Sequence, residues 1–545
     1  MRWVERCGKK NIQLGKKVNL FSSYNRDLLI EKLKSKSFDL IIIGGGITGA
    51  GVCIDAISRG LSVCLIEMND FASGTSSKST KLIHGGLRYL EQFKFSLVRE
   101  TGTERAVLHE IAPHVVKSEK MLLPISKDGK LNRFTTPLAL SAYDFLAKVD
   151  KKDKNKSLDK ESTCKYEPLL KNKNILGGAI YSEYRTDDSR LTLEILKKSY
   201  SLGAYPINYA KHLSFIHKSG KVKGLICRDQ ISGKEFKIKS KVIVNASGSW
   251  LDEITGDKKS KLILSKGVHV VIPKSKFPIR QSIYFDAVDE RMIFAIPRRE
   301  TVYIGTTDTL YNKSIDRLRV KRGEVSYLIK SVNKVFKSNL KIDDVVSSWV
   351  GLRPLIKENK KDVSEISRKD EIFISGNGLI SIAGGKLTGY RKMAERVVQE
   401  VVKKLKLKYT PTKTDKIKIS NMSCKECANL VSAHFNDKII NSLYNRYGSG
   451  IIDIYEIYID LKKDKDQKSH LLSELIYCIK NEMCHNLSDF FSQRNSMVYF
   501  NINEIRKEVD MLKNQYCLFK RISKEEFKNE EKKLYNLIKD ISTFT

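Results

Sequence analysis

The sequence predicts an α/β protein with three parts: a parallel-sheet nucleotide domain, an antiparallel sheet domain and an all-helical C-terminal domain. Three observations predict it. A buried-type strand runs into a glycine loop and a helix at residues 38–52. Alternating strand patterns recur between residues 213 and 307, and helical periodicity with little strand pattern fills 417–545. At 545 residues and 41% hydrophobic, the chain can bury a core in about three or four domains.

The nucleotide domain rests on Asp39 to Ile43, an apolar run of β-formers suited to a parallel strand covered on both faces. Gly44, Gly46 and Gly49 follow as G-x-G-x-x-G, with Gly45 inside the loop. The first glycine makes the tight turn, the second lets backbone approach a pyrophosphate, and the third lets helix pack on strand. The helix N-terminus then offers N–H groups to the phosphates. A second strand, Ser62–Glu67, ends in an acid 18 residues beyond Gly49, the position that accepts hydrogen bonds from an adenosine ribose. Strand, glycines, helix, strand and acid in this order predict a dinucleotide site.

Residues 1–37 read as an N-terminal extension, basic and nearly acid-free over Met1 to Asn19, ending in a short amphipathic helix from Asn25 to Leu33. After Glu67 comes a hydroxyl-rich loop, Met68 to Leu90, too polar for core and too long for a turn, so function is the expectation. Residues 121–179 read as an excursion with helices, including Thr136 to Val149, and Leu191 to Gly203 as an amphipathic helix. Leu213–Arg228 and Glu235–Lys241 read as an antiparallel hairpin feeding the strand Val242–Trp250, which ends in small residues. Further strands are expected at Gly267–Pro273, Met292–Pro297 and Val302–Thr307, then at Ile372–Gly376 and Leu379–Ala383. The last pair leads through Gly384-Gly-Lys-Leu-Thr-Gly-Tyr-Arg391 into a helix to about Leu405, a linker over 406–416, and the helical C-terminal domain.

The net charge of +36 admits nucleic acid, an anionic membrane surface or anionic substrates as partners. The lysines are scattered in ones and twos and no nucleic-acid-binding motif appears, so nucleic acid is set aside in favour of lysine bias with weak membrane attraction. Ten cysteines in so long a chain are not a disulfide scaffold, and Cys424-Lys-Glu-Cys427 has no partner motif that would complete a zinc site; no metal is expected. No apolar run reaches the ~18 residues of a spanning helix. A reduced, cytosolic chain fits.

Several separated motifs closely resemble the FAD-dependent glycerol-3-phosphate dehydrogenases. They are Gly44-Gly-Gly-Ile-Thr-Gly49, Ser79-Thr-Lys-Leu-Ile-His-Gly-Gly-Leu-Arg-Tyr-Leu90, Tyr184-Arg-Thr-Asp-Asp-Ser-Arg-Leu191, Ile304-Gly-Thr-Thr-Asp308, Gly351-Leu-Arg-Pro-Leu355 and Gly384 to Arg391. The tail adds Arg446-Tyr-Gly448 and Asp489-Phe490, and the form resembled is the aerobic, quinone-linked one of low-GC Gram-positive bacteria. The resemblance implies a Rossmann-like FAD domain of the D-amino-acid oxidase type, discontinuous over 38–405. An antiparallel β-sheet cap is expected at roughly 113–180 and 256–345. Two departures stand out. Ser249 replaces a usual proline, which should loosen a turn near the flavin, and Gln493-Arg494 replaces Arg-Arg, which should touch only the tail.

The resemblance further implies that Gly44, Gly45, Gly46, Gly49, Glu67, Thr75, Ser76, His84, Gly248, Gly385, Leu387 and Thr388 bind FAD. Arg88, Tyr89 and Lys386 would hold the substrate phosphate, with Arg353 and Arg368 near the reacting end, Arg368 as a substrate contact. A phosphate dianion calls for such cations, an Arg fork and a Lys point charge. Oxidation of sn-glycerol 3-phosphate to dihydroxyacetone phosphate moves a hydride to FAD and loses the hydroxyl proton. That requires a proton acceptor, assigned to His269, and a cation for developing alkoxide charge, assigned to Arg353, which is too basic to be the base. Asp55, Glu91 and Glu104 are read as helix charge pairs. With one nucleotide fingerprint, the expected acceptor is a membrane quinone, menaquinone or ubiquinone. The protein would sit as a peripheral homodimer on the inner face of the cell membrane. The alternatives are an oxidase passing electrons to oxygen, an amino-acid or hydroxy-acid oxidase of the same fold, and an inactive flavoprotein.

Overall fold

The structure, a computed structural model, describes residues 18–85, 95–129, 131–132, 134–146, 149, 151–257, 259–357, 370–463 and 470–545. The first sheet is built outward from strand Ser37–Ile43, which pairs in parallel with Val63–Ile66 on one side and Glu235–Asn245 on the other. Tyr205–Ile207 extends it in parallel beyond 63–66, and Ile380–Gly384 beyond 235–245. Leu40, Ile41, Ile42 and Ile43 are all buried, as a strand covered on both faces requires, beneath helices Ile47–Ser58, Asp188–Ser201 and Tyr390–Lys404.

The expected hairpin is three strands. Ala210–Lys218 and Lys221–Asp229 turn at Ser219-Gly220, both at positive φ, and the second pairs antiparallel with Glu235–Asn245. The last strand then runs unbroken into the parallel sheet, so the two stretches read from sequence as hairpin arm and separate strand are one element.

Among the described residues the second sheet has ten strands, eight of them in the order 309–311, 262–273, 301–305, 292–298, 282–286, 116–126, 175–186, 82–83. Strand Ser347–Ile356 also pairs with Leu262–Pro273, and Lys156–Leu158 with Ile175–Thr186. The excursion at 121–179 therefore contributes long strands, Val116–Ser126 and Ile175–Thr186, with helix Thr135–Leu146 between them. Their inner residues are buried without a clean polar alternation, which hid them from a period-two reading. One face of this sheet, with Val268, Val270 and Ile272, packs on helix Arg322–Val335. On the other, Val271, Tyr303 and Trp349 join the core of the C-terminal helices. Among the described residues of 417–545 every regular element is helical. The described residues thus form two mixed sheets and a helical C-terminal domain.

Candidate active site

One cavity of about 400 Å3 is lined from both sheets. From the first sheet come the carboxyl ends of parallel strands, at Ile43, Glu67, Ala246 and Ala383, where ligands bind in open α/β sheets. Gly44 turns the chain there at φ +112°, and Gly46 opens helix Ile47–Ser58. Glu67 accepts the Gly45 amide at 2.7 Å and the Asn69 amide at 2.9 Å. Burial raises its pKa while these amides pull it back. The acid predicted for a ribose therefore also pins the glycine turn. Gly44, Gly46, Glu67, Thr75, Ser76, His84, Gly248, Gly385, Leu387 and Thr388 line the cavity, whereas Gly45 and Gly49 sit behind it. Gly45 packs against Glu67 and Phe71, and Gly49 against the Gly44 carbonyl.

The second sheet supplies the opposite wall. Register sets His269 between Gly305 and Trp349, and Arg353 opposite Ser265, so His269, Gly267, Ser265, Trp349, Gly351 and Arg353 share one face. A Cβ on Gly267 would lie 2.4 Å from the Arg353 guanidinium, and one on Gly305 2.1 Å from the His269 ring. Both glycines make room for the working side chains beside them. Arg353 donates to Thr306 Oγ1 at 3.0 Å and to the Thr307 carbonyl at 3.3 Å, and it pairs with Asp308 at 3.3 Å. Asp308 also accepts from Ser265 Oγ. His269 stacks on Trp349, with ring centroids 4.8 Å apart, and its Nε2 lies 3.0 Å from Thr80 Oγ1. Burial first, then Arg353 and Lys81, hold His269 well below the usual imidazole pKa, so it is neutral.

Lys386 lines the cavity from the Gly384–Gly389 loop, and Thr388 Oγ1 ties that loop to the His84 carbonyl at 3.1 Å. Arg88, Tyr89 and Arg368 lie outside the described residues, as does Glu91. Asp55 is a helix charge pair with Arg59, as expected, at 2.6 Å. Glu104 is not. It reaches across to the buried Arg391, whose Nε donates at 2.8 Å and Nη2 at 2.5 Å. Sequence reasoning passed over Lys78, Thr80, Trp250 and Asp308, which also line the cavity. Thr80 and Asp308 lie inside motifs already singled out, so the signal was present.

The first of the two departures acts differently from expectation. Ser249 is buried in the turn Gly248–Trp250 and donates to the Leu352 carbonyl at 3.5 Å, which ties the turn to the Arg353 strand. At the second, Gln493 accepts from Ser492 Oγ within the tail, while the retained Arg494 beside it reaches out and forms a bidentate pair with Asp70, three residues beyond Glu67.

Comparison with known proteins gives this geometry a family. Residues 39–391 match the family described as FAD dependent oxidoreductase, and residues 380–514 match the C-terminal domain of alpha-glycerophosphate oxidase. The aerobic glycerol-3-phosphate dehydrogenase of Bacillus subtilis (strain 168) is 45% identical over 513 residues, covering 90% of this chain and 92% of its own. The chain belongs to the FAD-dependent glycerol-3-phosphate dehydrogenase family. The enzyme of the same name from Staphylococcus haemolyticus (strain JCSC1435) is 45% identical over 514 residues, with the same coverage. A crystal structure of the glycerol-3-phosphate dehydrogenase from Bacillus halodurans, complexed with FAD, is similar at TM-score 0.82 and 38% identity, covering 96% of this chain and 99% of that one.

The expected architecture, a D-amino-acid oxidase type FAD domain with a helical C-terminal domain, is therefore correct. The residues fit the cofactor of this family. A Cβ on Gly46 would meet only the Ser76 side chain, 3.0 Å from its Oγ, and one on Gly248 nothing within 4 Å. Backbone is left accessible at both positions, as a pyrophosphate and a ring system would require. Among the described residues no group of His, Cys, Asp and Glu could hold a metal ion, and the nine described cysteines are free thiols.

Proposed function

We propose that the protein oxidises sn-glycerol 3-phosphate to dihydroxyacetone phosphate and delivers the electrons to a membrane quinone. The observation that carries the substrate reading is the convergence of Lys386, Arg353 and a neutral His269 on one cavity, in a chain whose relatives are named for this substrate. Bound FAD supplies the hydride acceptor. His269, neutral because it is buried beside two cations, has a lone pair for the hydroxyl proton of carbon 2. Arg353, fixed by Asp308, Thr306 and Thr307, stabilises the charge that develops on the same oxygen. Lys386, which lines the cavity, is assigned to the phosphate, and the resemblance assigns Arg88, Tyr89 and Arg368 to the substrate as well. An amino-acid or hydroxy-acid substrate brings a single carboxylate and no phosphate dianion to such a set of cations.

Among the described residues no helix is long and apolar enough to cross a membrane, so contact with a lipid quinone is peripheral in this reading. Helix Thr135–Leu146 supports it. Phe134 just before the helix, and Leu138 and Phe145 on it, are 80%, 72% and 84% exposed. The remaining exposed positions there are Thr135, Ser141 and Ala142, so the face carries no charge. Exposed lysines flank it in sequence, Lys127 before and Lys151, Lys154 and Lys156 after. An uncharged, largely apolar face with lysines on both sides in sequence, against an exposed acid at Asp128, suits an anionic bilayer surface. The protein would bind the cytoplasmic face of the cell membrane, as a homodimer.

Stopped-flow reoxidation of the reduced enzyme tests the acceptor. A menaquinone analogue should outpace air, and binding to anionic vesicles should weaken with salt and in Leu138→Glu. Faster reoxidation by oxygen, with stoichiometric hydrogen peroxide, would make the protein an oxidase. Sedimentation of the detergent-free enzyme tests the dimer.

A further inference from the structure

A short segment of the C-terminal domain, Asp489 to Phe500, reaches the loops that line the cavity. Arg494, fully buried, donates through Nη1 to Asp70 Oδ2 at 2.5 Å and through Nη2 to Asp70 Oδ1 at 3.0 Å. Its Nη2 also donates to the Glu482 carbonyl at 2.8 Å, and Asn208 Nδ2 donates to Asp70 Oδ1 at 2.9 Å. Five residues on, Tyr499 OH accepts from Lys78, which lines the cavity. Ser496 Oγ donates to Asp187 Oδ2 at 3.1 Å, and Asp187 caps the helix whose Asp188 holds Ser79 and Lys81. Tyr209, two residues beyond the strand beside Glu67, donates to Asp489 at 2.6 Å.

The backbone is built for these contacts. Phe490–Arg494 is a turn of π-helix, a rare form that recurs at functional positions, and Ser496 follows at φ +61°. A buried ion pair contributes little net stability over a well-packed apolar pair, because desolvation offsets its attraction. What a bidentate guanidinium does supply is orientation of its carboxylate. Asp70 lies on the turn from Glu67 to Phe71, where Glu67 accepts the Gly45 amide and Ala72 N donates to the Gly45 carbonyl at 3.1 Å. Asp70 thus lies in the chain between Glu67 and Ala72, the two residues that hold Gly45.

We propose that Arg494 is a positioning residue for the cofactor: it holds Asp70, and through it the Glu67–Phe71 turn and the glycine loop, so that docking of the C-terminal domain and binding of FAD form one coupled equilibrium. The proposal rests on the cavity being the FAD site and is independent of substrate and acceptor. Coupling is reciprocal, so FAD tightens the segment 489–500 by the factor with which that segment tightens FAD.

The test compares two matched substitutions in apoprotein prepared from the full chain. Arg494→Lys keeps the charge and loses the fork on Asp70. Arg446→Lys does the same to Arg446–Glu474, a buried pair inside the C-terminal domain with contacts of 2.9 and 3.0 Å. FAD dissociation constants come from fluorescence quenching, and apoprotein melting temperatures are recorded alongside. Arg494→Lys should bind FAD on the order of tenfold more weakly, while Arg446→Lys keeps wild-type affinity whatever its melting temperature. Hydrogen exchange over 489–500 should slow when FAD is added. Wild-type affinity in Arg494→Lys, equal losses in both variants, or exchange indifferent to FAD would each overturn the proposal. Should Arg494→Lys not fold, the neutral pair Asp70→Asn with Arg494→Gln replaces it, with the same expected loss, and wild-type FAD affinity in that pair would be equally fatal.

Discussion

The three fingerprint glycines are not equivalent, and the structure separates what the fold needs from what the ligand needs. A Cβ on Gly49 would stand 1.9 Å from the Gly44 carbonyl oxygen, backbone against backbone. Ordinary contact begins at 3.4 Å, so turn and helix would have to part by about 1.5 Å. Overpacking typically costs ~1–3 kcal/mol, and with no flexible side chain to yield, Gly49→Ala should lie at ~3 kcal/mol or above. A Cβ on Gly46 would meet Ser76 Oγ at 3.0 Å. That hydroxyl accepts the Ile47 amide at 2.9 Å, and losing the bond costs only ~1 kcal/mol. Gly46→Ala should therefore leave the apoprotein nearly as stable as wild type. Its methyl group would nonetheless occupy the approach of the pyrophosphate and weaken FAD by roughly a hundredfold, equivalent to ~2.7 kcal/mol. Urea melts of apoprotein and FAD titration read the two effects separately. Wild-type FAD affinity in Gly46→Ala, or an apoprotein loss as large as that of Gly49→Ala, would refute the reasoning.

Two further predictions concern the reacting end. Lys386→Ala should raise KM for glycerol 3-phosphate by about 10- to 100-fold, since a charge-assisted contact contributes ~1.5–3 kcal/mol, while the poor turnover of free glycerol stays nearly unchanged; equal losses would move Lys386 away from the phosphate. His269 and His485 are held well below the usual pKa by burial and neighbouring cations, and burial lowers His212 to about 4. The fold keeps them neutral while the unfolded chain protonates near pH 6.5. Their contribution to stability is thus full above pH ~6.5 and lost as pH falls through the folded pKa values. Melting temperature should drop between pH 7 and 5, and the drop should shrink in His269→Gln; an unchanged drop in that variant would mean His269 is not held neutral.

Much of the nucleotide domain was legible because its signals are local: Gly44, Gly46 and Gly49 follow a five-residue apolar strand, and Glu67 stands at a fixed spacing. The strands at 116–126 and 175–186 were not, because their inner stretches are buried without polar alternation and leave no period of two. Candidate residues could be named one by one, but their partners could not. Arg353 meets Asp308 and His269 meets Thr80 through strand register and a loop passing over the sheet, contacts 45 and 189 residues apart in sequence. Arg494 shows the same limit most sharply, because Asp70 is 424 residues away. Nothing in Gln493-Arg494 itself says that the tail reaches back to the first glycine loop.

The most direct measurement is anaerobic titration of the purified yellow protein while flavin absorbance is followed. Glycerol 3-phosphate should bleach the flavin, and glycerol and glycine at the same concentration should not. Bleaching by glycine, or full colour retained with saturating glycerol 3-phosphate, would contradict the assignment of this cavity to oxidation of a phosphorylated alcohol.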